Sequence, residues 1–422
     1  MAGSAAARRD VSAKPTPDAK VRSVSLLDLP SELLAEIHGR HDFVDQLNLA
    51  VSCRGAAGAS SWQQRHKTTP CLVALLPTRR PLRNLTRRGP RDARPRILGS
   101  TDGWIVTVDV RATLRMANPV TGEQAALPPI TAGTIPFFVD SWPYLIDMNL
   151  FRKLTGGHGD RPPSYTISDW QMRNWFYRKV ILSASPRPGS YTAMLILYKR
   201  FAGAAAFATA DDQTWRLAAG SGDGGGVEDA ICHNGRFYSV TYAGDVVAWD
   251  YDRRHARASE FASVAVWPRL SGDYLRLRRR KYIAAAPDGR LVVVIKDMKE
   301  AIDKHPSWSS RMSFVFQVFV LDVARQRWVE TKDIGDLALS VGVNTSMCVS
   351  TREHPGIRAG CVYYMEDELG EASLRLEDAR YAPGELQDVG VYVLKDGTVD
   401  SVHGLRHRHR YWPLPAWFMP CM

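Results

Sequence analysis

The chain is poor in long apolar runs, in paired cysteines and in lysine. None of its apolar runs approaches the roughly 18–20 residues that span a bilayer, so we expect no membrane-crossing helix. Its six cysteines are scattered without a C-x-x-C pair, a usage typical of free thiols in a reducing compartment. Residues 1–24 are small, polar and without the apolar core of a signal peptide. They predict a disordered leader and an intracellular protein, located in the cytoplasm, the nucleus or both.

Sequence signatures of catalysis are also missing. The chain has no H-E-x-x-H and no G-x-S-x-G motif. The glycine-rich run Gly220–Gly226 is followed by strand-like sequence and lacks a lysine, so we interpret it as a loop between strands and not as a phosphate-binding loop. The run His407–Arg410 alternates histidine with arginine, whose charge would repel a metal ion. We therefore expect no enzymatic activity, no cofactor and no metal.

The positive charge is concentrated in arginine. The formal net charge is +11, and only 12 of the 55 basic residues are lysines. Eight arginines stand against one aspartate at Arg79–Arg96, and smaller clusters occupy Arg276–Tyr282 and His403–Tyr411. Such clusters predict a nucleic-acid surface, a solvated surface or a patch that meets an acidic partner. No nucleic-acid motif accompanies them and they lie far apart in sequence, so we favour a solvated surface or an acidic-partner patch over a nucleic-acid surface.

The stretch "LLDLPSELLAEIHGR" predicts a short amphipathic helix near the N-terminus. Pro30 suits a first helical turn, where the missing N–H costs nothing. Leu29, Leu33 and Ile37 repeat at a spacing of four residues and form one apolar face. A second helix is predicted from Asp42 to Cys53 by the same spacing.

After Pro70 the sequence changes to short apolar segments separated by turn signals, which predicts strands. The run Asn234–Asp250 has the pattern of a β-hairpin, and it begins with an Asn-Gly turn before the first strand. Turns at Pro188-Gly189, Asn234-Gly235 and Asp288-Gly289 lie 46 and 54 residues apart, close to the ~40–50-residue period of propeller blades. A pair of β-sandwiches, or another large all-β domain, is the alternative.

The helical segment "LLDLPSELLAEIHGRHDFVDQLNLAVSCRGAA" resembles the F-box. It shares with that module a Leu-Pro followed by Glu-Leu-Leu and Ile, and a Leu-rich helix that runs into Cys-Arg. Ser52 replaces the usual valine, and Ala56 and Ala57 stand where Trp-Arg is usual. The matching residues are Leu29, Pro30, Glu32, Leu33, Leu34, Ile37, Asp45, Leu47, Leu49, Cys53 and Arg54.

The remainder, from about Ile97 to Pro420, resembles the KIB-type β-propeller of plant F-box proteins. The segments that carry the likeness include "EDAICHNGRFYSVTYAGDVVAWD", "FQVFVLDVARQRWVETKDIGDLALSVGVNTS" and "PLPAWFMP". The two resemblances imply an α+β multidomain chain, with a small helical F-box followed by a mainly β, kelch-like propeller. The implied domains are a leader at 1–24, an F-box at 25–68, an Arg-rich linker or first strand region at 69–96 and a propeller at 97–420.

The resemblance implies a substrate receptor of an SCF (Skp–cullin–F-box) ubiquitin ligase. A helical unit of ~40 residues buries too little surface to be stable alone, so its surplus leucines are expected to pack on a partner. The implied partners are a Skp-type adaptor, through it a cullin, and a target protein of unknown identity on the propeller. The expected adaptor-binding residues are Leu29, Pro30, Leu33, Leu34, Ile37, Leu47 and Val51.

Three alternatives remain open at this stage. The leucines of the N-terminal helices could dock on the chain's own propeller. The chain could be a binding propeller whose divergent F-box engages no ligase. It could also be a nucleic-acid-associated protein that uses its arginine clusters, in which case binding would fall steeply with salt.

The C-terminus predicts closure of the ring. The hairpin at Val391–Val402 is the last strong strand signal, with Asp396 and Gly397 at its turn. Trp417 and Phe418 follow between prolines that favour an extended backbone. Because an open sheet edge invites aggregation, we expect these two rings to be buried and the last strands to complete or seal the first blade.

Overall fold

A computed structural model describes the mainly β part of the chain. The described residues are 71–73, 95–118, 123–130, 135, 137–141, 144–155, 164–186, 190–198, 201, 203–218, 226–251, 256–262, 279–299, 313–322, 325, 327–354, 356–365, 390–400 and 416–419. The chain divides into two compact units, Met1–Gln64 and Arg65–Met422, and every described residue belongs to the second unit. The predicted leader and nearly all of the predicted F-box fall in the first unit, so these predictions lie outside the described residues.

The first part of the fold contains a short strand and one four-stranded sheet. Its elements are β1 (Cys71–Val73), β2 (Arg96–Thr101), β3 (Trp104–Val108), β4 (Leu114–Ala117) and β5 (Gln124–Ala126). Strands β2 to β5 form sheet 1, an antiparallel meander in chain order. The turn between β2 and β3 is made by Asp102 and Gly103, both with positive φ, which gives a tight connection.

The next part is a three-stranded sheet with short helices. Its elements are β6 (Phe138–Ser141), β7 (Tyr144–Asp147), α1 (Met148–Thr155), β8 (Ser164–Ile167), α2 (Asp169–Gln171) and a π-helical turn (Met172–Phe176). Strands β6 to β8 form sheet 2. The sequence from Ala132 to Arg178 shows little alternation, and strand signals alone did not predict this sheet. Phe138 holds it to the fold by edge-on packing against Phe176, with ring centroids 5.3 Å apart.

Two regular four-stranded meanders follow. Sheet 3 consists of β9 (Tyr177–Leu182), β10 (Thr192–Leu197), β11 (Ala205–Thr209) and β12 (Arg216–Leu217). Sheet 4 consists of β13 (Val227–His233), β14 (Arg236–Thr241), β15 (Val246–Tyr251) and β16 (Ala256–Ala262). The predicted hairpin is confirmed as β14 and β15, and Asn234 and Gly235 both adopt positive φ in the turn before it.

The last two sheets differ in topology. Sheet 5 is a meander of β17 (Arg279–Ala285), β18 (Leu291–Lys299), β19 (Ser313–Asp322) and β20 (Arg327–Thr331). Sheet 6 contains β21 (Leu337–Val341), β22 (Met347–Ser350), β23 (Cys361–Tyr364), β24 (Gly390–Val393) and β25 (Thr398–Asp400). Within sheet 6 the spatial order is β22-β21-β23-β24-β25, and β21 runs parallel to β23. The final strand is β26 (Ala416–Phe418), which pairs with β1.

The sheets succeed one another around a ring. Packing contacts join β2 to β9, β9 to β13, β13 to β17 and β17 to β22, while β26 returns to β2. Gly99 permits the first of these approaches, because a Cβ built there would lie 1.9 Å from the carbonyl oxygen of Val180. Mostly four-stranded sheets arranged in a ring, with one strand of each sheet packed against a strand of the next, form the architecture of a β-propeller.

The closure predicted from the C-terminal sequence is confirmed. Phe418 is fully buried and Trp417 is nearly so. The Trp417 backbone N–H donates to Asn344 Oδ1 at 3.1 Å, and its indole Nε1 donates to the Val341 carbonyl at 3.1 Å. The Ser100 hydroxyl of β2 donates to the Trp417 carbonyl at 3.0 Å. The last strand thus joins sheet 6 to sheet 1.

The apolar core lies between neighbouring sheets. Phe207 of sheet 3 packs against Phe237 and Trp249 of sheet 4, with ring centroids 5.6 and 5.5 Å apart. Trp328 of sheet 5 joins the buried cluster that it shares with sheet 4. Phe316 of sheet 5 contacts the rings of Tyr364 and Tyr392 in sheet 6. Within the described part of the chain, neither helix is long and apolar enough to cross a membrane.

Candidate functional site

The predicted adaptor-binding residues cannot be placed in the structure. All seven, from Leu29 to Val51, lie outside the described residues. The candidate site that the structure does place is on the ring of sheets. It consists of a rigid polar centre on the first strands and an open groove between sheets 5 and 6.

Asp229 is the hub of the polar centre. Its carboxylate is fully buried in β13 and forms an ion pair with the Lys179 ammonium of β9. Its Oδ2 accepts the backbone N–H of Ile283 in β17 at 3.0 Å and the hydroxyl of Ser346, which precedes β22, at 2.8 Å. One carboxylate therefore contacts three other sheets of the ring. A buried charge with this many donors holds those strands in one arrangement.

Glu228 makes a second set of contacts beside the hub. Its Oε2 accepts from Lys281 Nζ at 2.8 Å, and its Oε1 lies 3.5 Å from the Arg280 guanidinium. The Glu228 carbonyl accepts from Arg178 Nε at 2.7 Å. The register of β13 shifts between Val227 and Asp229, which marks a bulge at Glu228. The bulge interrupts the regular alternation of side chains between the two faces of β13. The adjacent side chains of Glu228 and Asp229 are therefore both buried.

The neighbouring Tyr242 phenol lies in the same polar environment. Burial raises its pKa, and the Glu228 charge adds to this effect, while Arg178 and Arg280 oppose it. The phenol therefore remains protonated at neutral pH. The polar centre is a set of buried ion pairs and hydrogen bonds between sheets, and these contacts support the structure of the ring.

The polar centre also corrects one interpretation of the sequence. The arginine-rich cluster at Arg276–Tyr282 was expected to be solvated surface, but its described part belongs to β17. Lys281 is buried against Glu228, and Arg279 pairs with Asp297 at 3.0 Å. The solvated-surface interpretation is wrong for Lys281, because the first strand of a propeller sheet faces its neighbours and not water.

An open groove of about 800 Å³ lies between sheets 5 and 6. Strands β18, β19 and β20 line one side of it, and β21, β22 and the connection from β20 to β21 line the other. Val292, Val320 and Leu339 contribute apolar side chains to the lining. Val329 of β20 is 41% exposed there, one of the few large apolar side chains so exposed among the described residues.

The rim of the groove is acidic. Four carboxylates and one guanidinium line it: Asp288, Asp322, Asp333, Asp336 and Arg290. The Arg290 Nη2 lies 2.6 Å from Asp288 Oδ2, and this guanidinium holds the pKa of Asp288 below its ordinary value. The Asp288 side chain is therefore charged at neutral pH.

The remaining rim carboxylates contact backbone amides or exposed arginines. Asp333 Oδ1 accepts the Gly335 N–H at 2.9 Å. Asp322 pairs with Arg325 at 2.9 Å and Asp336 with Arg352 at 3.1 Å. These two arginine side chains are 68% and 84% exposed, so they can leave the carboxylates at small cost.

Cys348 is the one thiol on the groove lining. Burial raises its pKa to about 12, and the charges of Asp288 and Asp336 add to the effect. The thiol therefore remains protonated at neutral pH, and the thiolate that nucleophilic chemistry needs is not formed. The arrangement of apolar lining and charged rim is suited to binding an extended chain.

Sequence reasoning did not predict this groove. The Asp-Gly turn at Asp288 was recognised, and Asp322 was not singled out. What was missed is that these acids share one groove with Asp333 and Asp336. No local pattern carries that information, because the residues come from the turn between β17 and β18, the end of β19 and the connection from β20 to β21.

The ring of sheets, with an open groove between two of them, defines a β-propeller. A model of the KIB1-4 beta-propeller family matches residues 76–393, about three quarters of the chain. The chain therefore belongs to this family. The matched region begins just after β1 and ends at the last residue of β24.

The chain is also similar to an F-box protein of Arabidopsis thaliana, At2g17036. The two are 24% identical over 200 residues. The match covers 45% of this chain and 44% of that protein, so it spans less than half of either.

Among solved structures, the chain resembles YCF48 from Cyanidioschyzon merolae, with 10% identity, a TM-score of 0.29, and coverage of 62% of this chain and 59% of that one. It also resembles a Bacteroides ovatus xyloglucan-locus protein, GH43B, with 10% identity and a TM-score of 0.27. That second match covers 64% of this chain and 45% of the other. At these scores neither likeness carries an argument about this chain.

Proposed function

We propose that this chain is the substrate-recognition subunit of an SCF ubiquitin ligase. In this proposal the N-terminal segment binds a Skp-type adaptor and, through it, a cullin, while the propeller binds the target. Two findings support it: the chain belongs to the KIB1-4 propeller family, and its relative in Arabidopsis thaliana is named an F-box protein. The F-box pattern from Leu26 to Ala57 adds sequence support on the N-terminal side.

The observation that carries the target-binding part is the contrast between a rigid ring and an open groove. The Asp229 and Glu228 contacts hold the first strands of sheets 3, 4 and 5 and the residue that precedes β22 of sheet 6 in place. The groove between sheets 5 and 6 then presents exposed apolar and acidic side chains on a fixed frame. A preorganised surface of this kind loses little conformational entropy on binding, which favours recognition.

The proposal gives the chain no chemistry of its own. Ubiquitin transfer would belong to other subunits, and the chain would bring the target to them. The proposed location is intracellular, in the cytoplasm, the nucleus or both, where such ligases act. The buried ion pair of Lys281 and the partly exposed pair of Arg279 favour this function over nucleic-acid binding, because they occupy two of the charges that a nucleic acid would need.

The adaptor half is tested by co-purification of the full chain with a Skp-type adaptor. Replacing Leu29 and Pro30 by alanine should abolish co-purification, because these residues stand at the centre of the proposed adaptor surface. A matched control is Val399→Thr, an exposed position on β25 that should leave adaptor binding unchanged. Circular dichroism should show that the ring stays folded in both variants.

Two results would contradict the proposal. Adaptor binding that survives the Leu29/Pro30 replacement would remove the F-box assignment. A wild-type chain that never captures the adaptor would favour a binding propeller outside any ligase.

The target half is tested by proximity labelling with the proteasome blocked, where proteins that accumulate only with the wild-type chain are the expected targets.

A further inference from the structure

We infer that the groove between sheets 5 and 6 binds an extended, basic segment of the target protein. An aliphatic side chain of that segment would lie on the apolar lining, and lysine or arginine side chains beside it would meet the acidic rim. This inference rests on the proposed function and deepens it, because it names the chemistry of the target segment.

The shape of the groove favours an extended segment. Its volume of about 800 Å³ is large enough for several side chains. Strand β20 is the last strand of sheet 5, and among the described residues no strand pairs with its outer edge. A peptide that added a strand there would match the five residues of Arg327–Thr331, about 17 Å of extended chain.

The apolar part of the argument rests on Val329. This side chain is 41% exposed and lies beside the half-buried Val320, its cross-strand partner in β19, on the groove lining. An aliphatic side chain of the partner placed there would remove apolar surface from water on both molecules.

The charge argument rests on the difference in formal charge between the groove lining and the whole chain. The chain carries a formal charge of +11, whereas the groove lining has four carboxylates and one guanidinium. The net charge of the whole chain repels a basic segment, whereas the carboxylates of the groove lining attract it, which favours docking in the groove. The arginines that now pair with Asp322 and Asp336 are exposed and can be displaced by the incoming cations.

The test uses the full chain without adaptor and a phage library of random decapeptides. Enriched peptides are then synthesised with a fluorescent label and titrated by anisotropy. We expect them to carry an excess of lysine and arginine around an aliphatic residue. Because no ligase subunit is present, this result does not depend on adaptor binding. Failure of peptide binding and failure of adaptor binding can therefore be told apart.

Variants locate the binding. Asp322→Asn with Asp333→Asn removes two rim charges, while each Asn Oδ1 can still accept the backbone N–H that the aspartate accepts. This double variant should weaken binding about fivefold. Val329→Thr should weaken it roughly threefold. The matched controls are Asp250→Asn, an exposed acid that pairs with Arg236, and Val399→Thr, and both should bind as the wild type does.

Three results would overturn the inference. Enriched peptides without a basic excess would remove the charge argument. Equal loss of affinity in Asp250→Asn and in the double variant would mean general attraction by surface acids. A dimer on size-exclusion chromatography that Val329→Thr disperses would place a second copy of the chain in the groove.

Discussion

The boundary between sheets 4 and 5 is filled at Trp328, whereas the boundary between sheets 5 and 6 has a buried core but opens into a groove at Val329. At the first boundary Trp328 is 5% exposed and packs in a buried cluster with residues of both sheets. At the second, Val329 is 41% exposed and lines a groove. Because successive side chains of a strand point to opposite faces, two neighbouring residues of β20 serve the two boundaries. One strand therefore both seals the ring and presents a binding surface.

The two regions also use charge differently. In the polar centre, Asp229 and Lys179 are buried and paired, so each depends on the other. On the groove rim, Asp322 and Asp336 pair with exposed arginines and remain accessible. A buried pair supports the architecture, while an exposed carboxylate can exchange its partner. The following predictions test this difference, from the largest expected effect to the smallest.

Asp229→Ala should lower the free energy of unfolding by about 3–5 kcal/mol, because it leaves the Lys179 ammonium buried without its carboxylate. Urea denaturation followed by tryptophan fluorescence measures the effect. The control is Asp250→Ala on the surface of sheet 4, which should cost less than about 1 kcal/mol. Equal midpoints for the two variants would mean that the polar centre does not hold the ring.

Trp328→Ala should cost about 3 kcal/mol, because it opens a cavity between sheets 4 and 5. The neighbouring Val329→Ala removes a side chain that is largely in water and should cost under about 0.5 kcal/mol. Thermal unfolding of the two variants side by side is the measurement. A larger loss of stability for Val329→Ala than for Trp328→Ala would contradict the assignment of a filled boundary at Trp328 and an open groove at Val329.

Asn344→Ala should cost about 1–3 kcal/mol, because the buried Trp417 N–H loses its acceptor at the closure of the ring. The expected loss is global, so hydrogen exchange should rise in sheets 1 and 6 together. Asn149→Ala on the exposed surface of α1 is the control and should leave exchange unchanged. Faster exchange confined to β26 would show that the closing strand frays without weakening the ring.

Asp288→Asn should have the smallest effect, under about 1 kcal/mol, because the pair with Arg290 is half exposed. The pKa of Asp288 is lowered in the folded chain, so its contribution is present above the ordinary aspartate pKa and is lost as the pH falls through the folded value. The variant should therefore be less stable than the wild type at pH 7, and the difference should shrink towards pH 3. Arg290→Gln should remove the same pH dependence. An undiminished difference at pH 3 would assign the effect to packing.

Local sequence predicted the hairpins and the closing segment well. Asn234-Gly235 fixed one turn because both residues adopt positive φ, and Trp417 and Phe418 were recognised as buried anchors. Sheet 2 was not predicted, since its strands are short and show little alternation, and a helix separates β7 from β8. The five-strand order of sheet 6, with β21 inserted beside β23, was also beyond the sequence pattern, because parallel pairing leaves no turn signal between the two strands.

By itself, the sequence determined most of the strands outside sheet 2, the tight turns, the propeller class and the resemblance of residues 26–57 to an F-box. These follow from local periodicity, turn chemistry and family likeness, all of which are read along the chain. Only the tertiary structure decided that Asp229 meets Lys179 and Ser346, and that Asp288, Asp322 and Asp333 share one groove. Such contacts join residues from different sheets. Their partners are set by how the ring packs and closes, and no neighbouring residue in sequence specifies them.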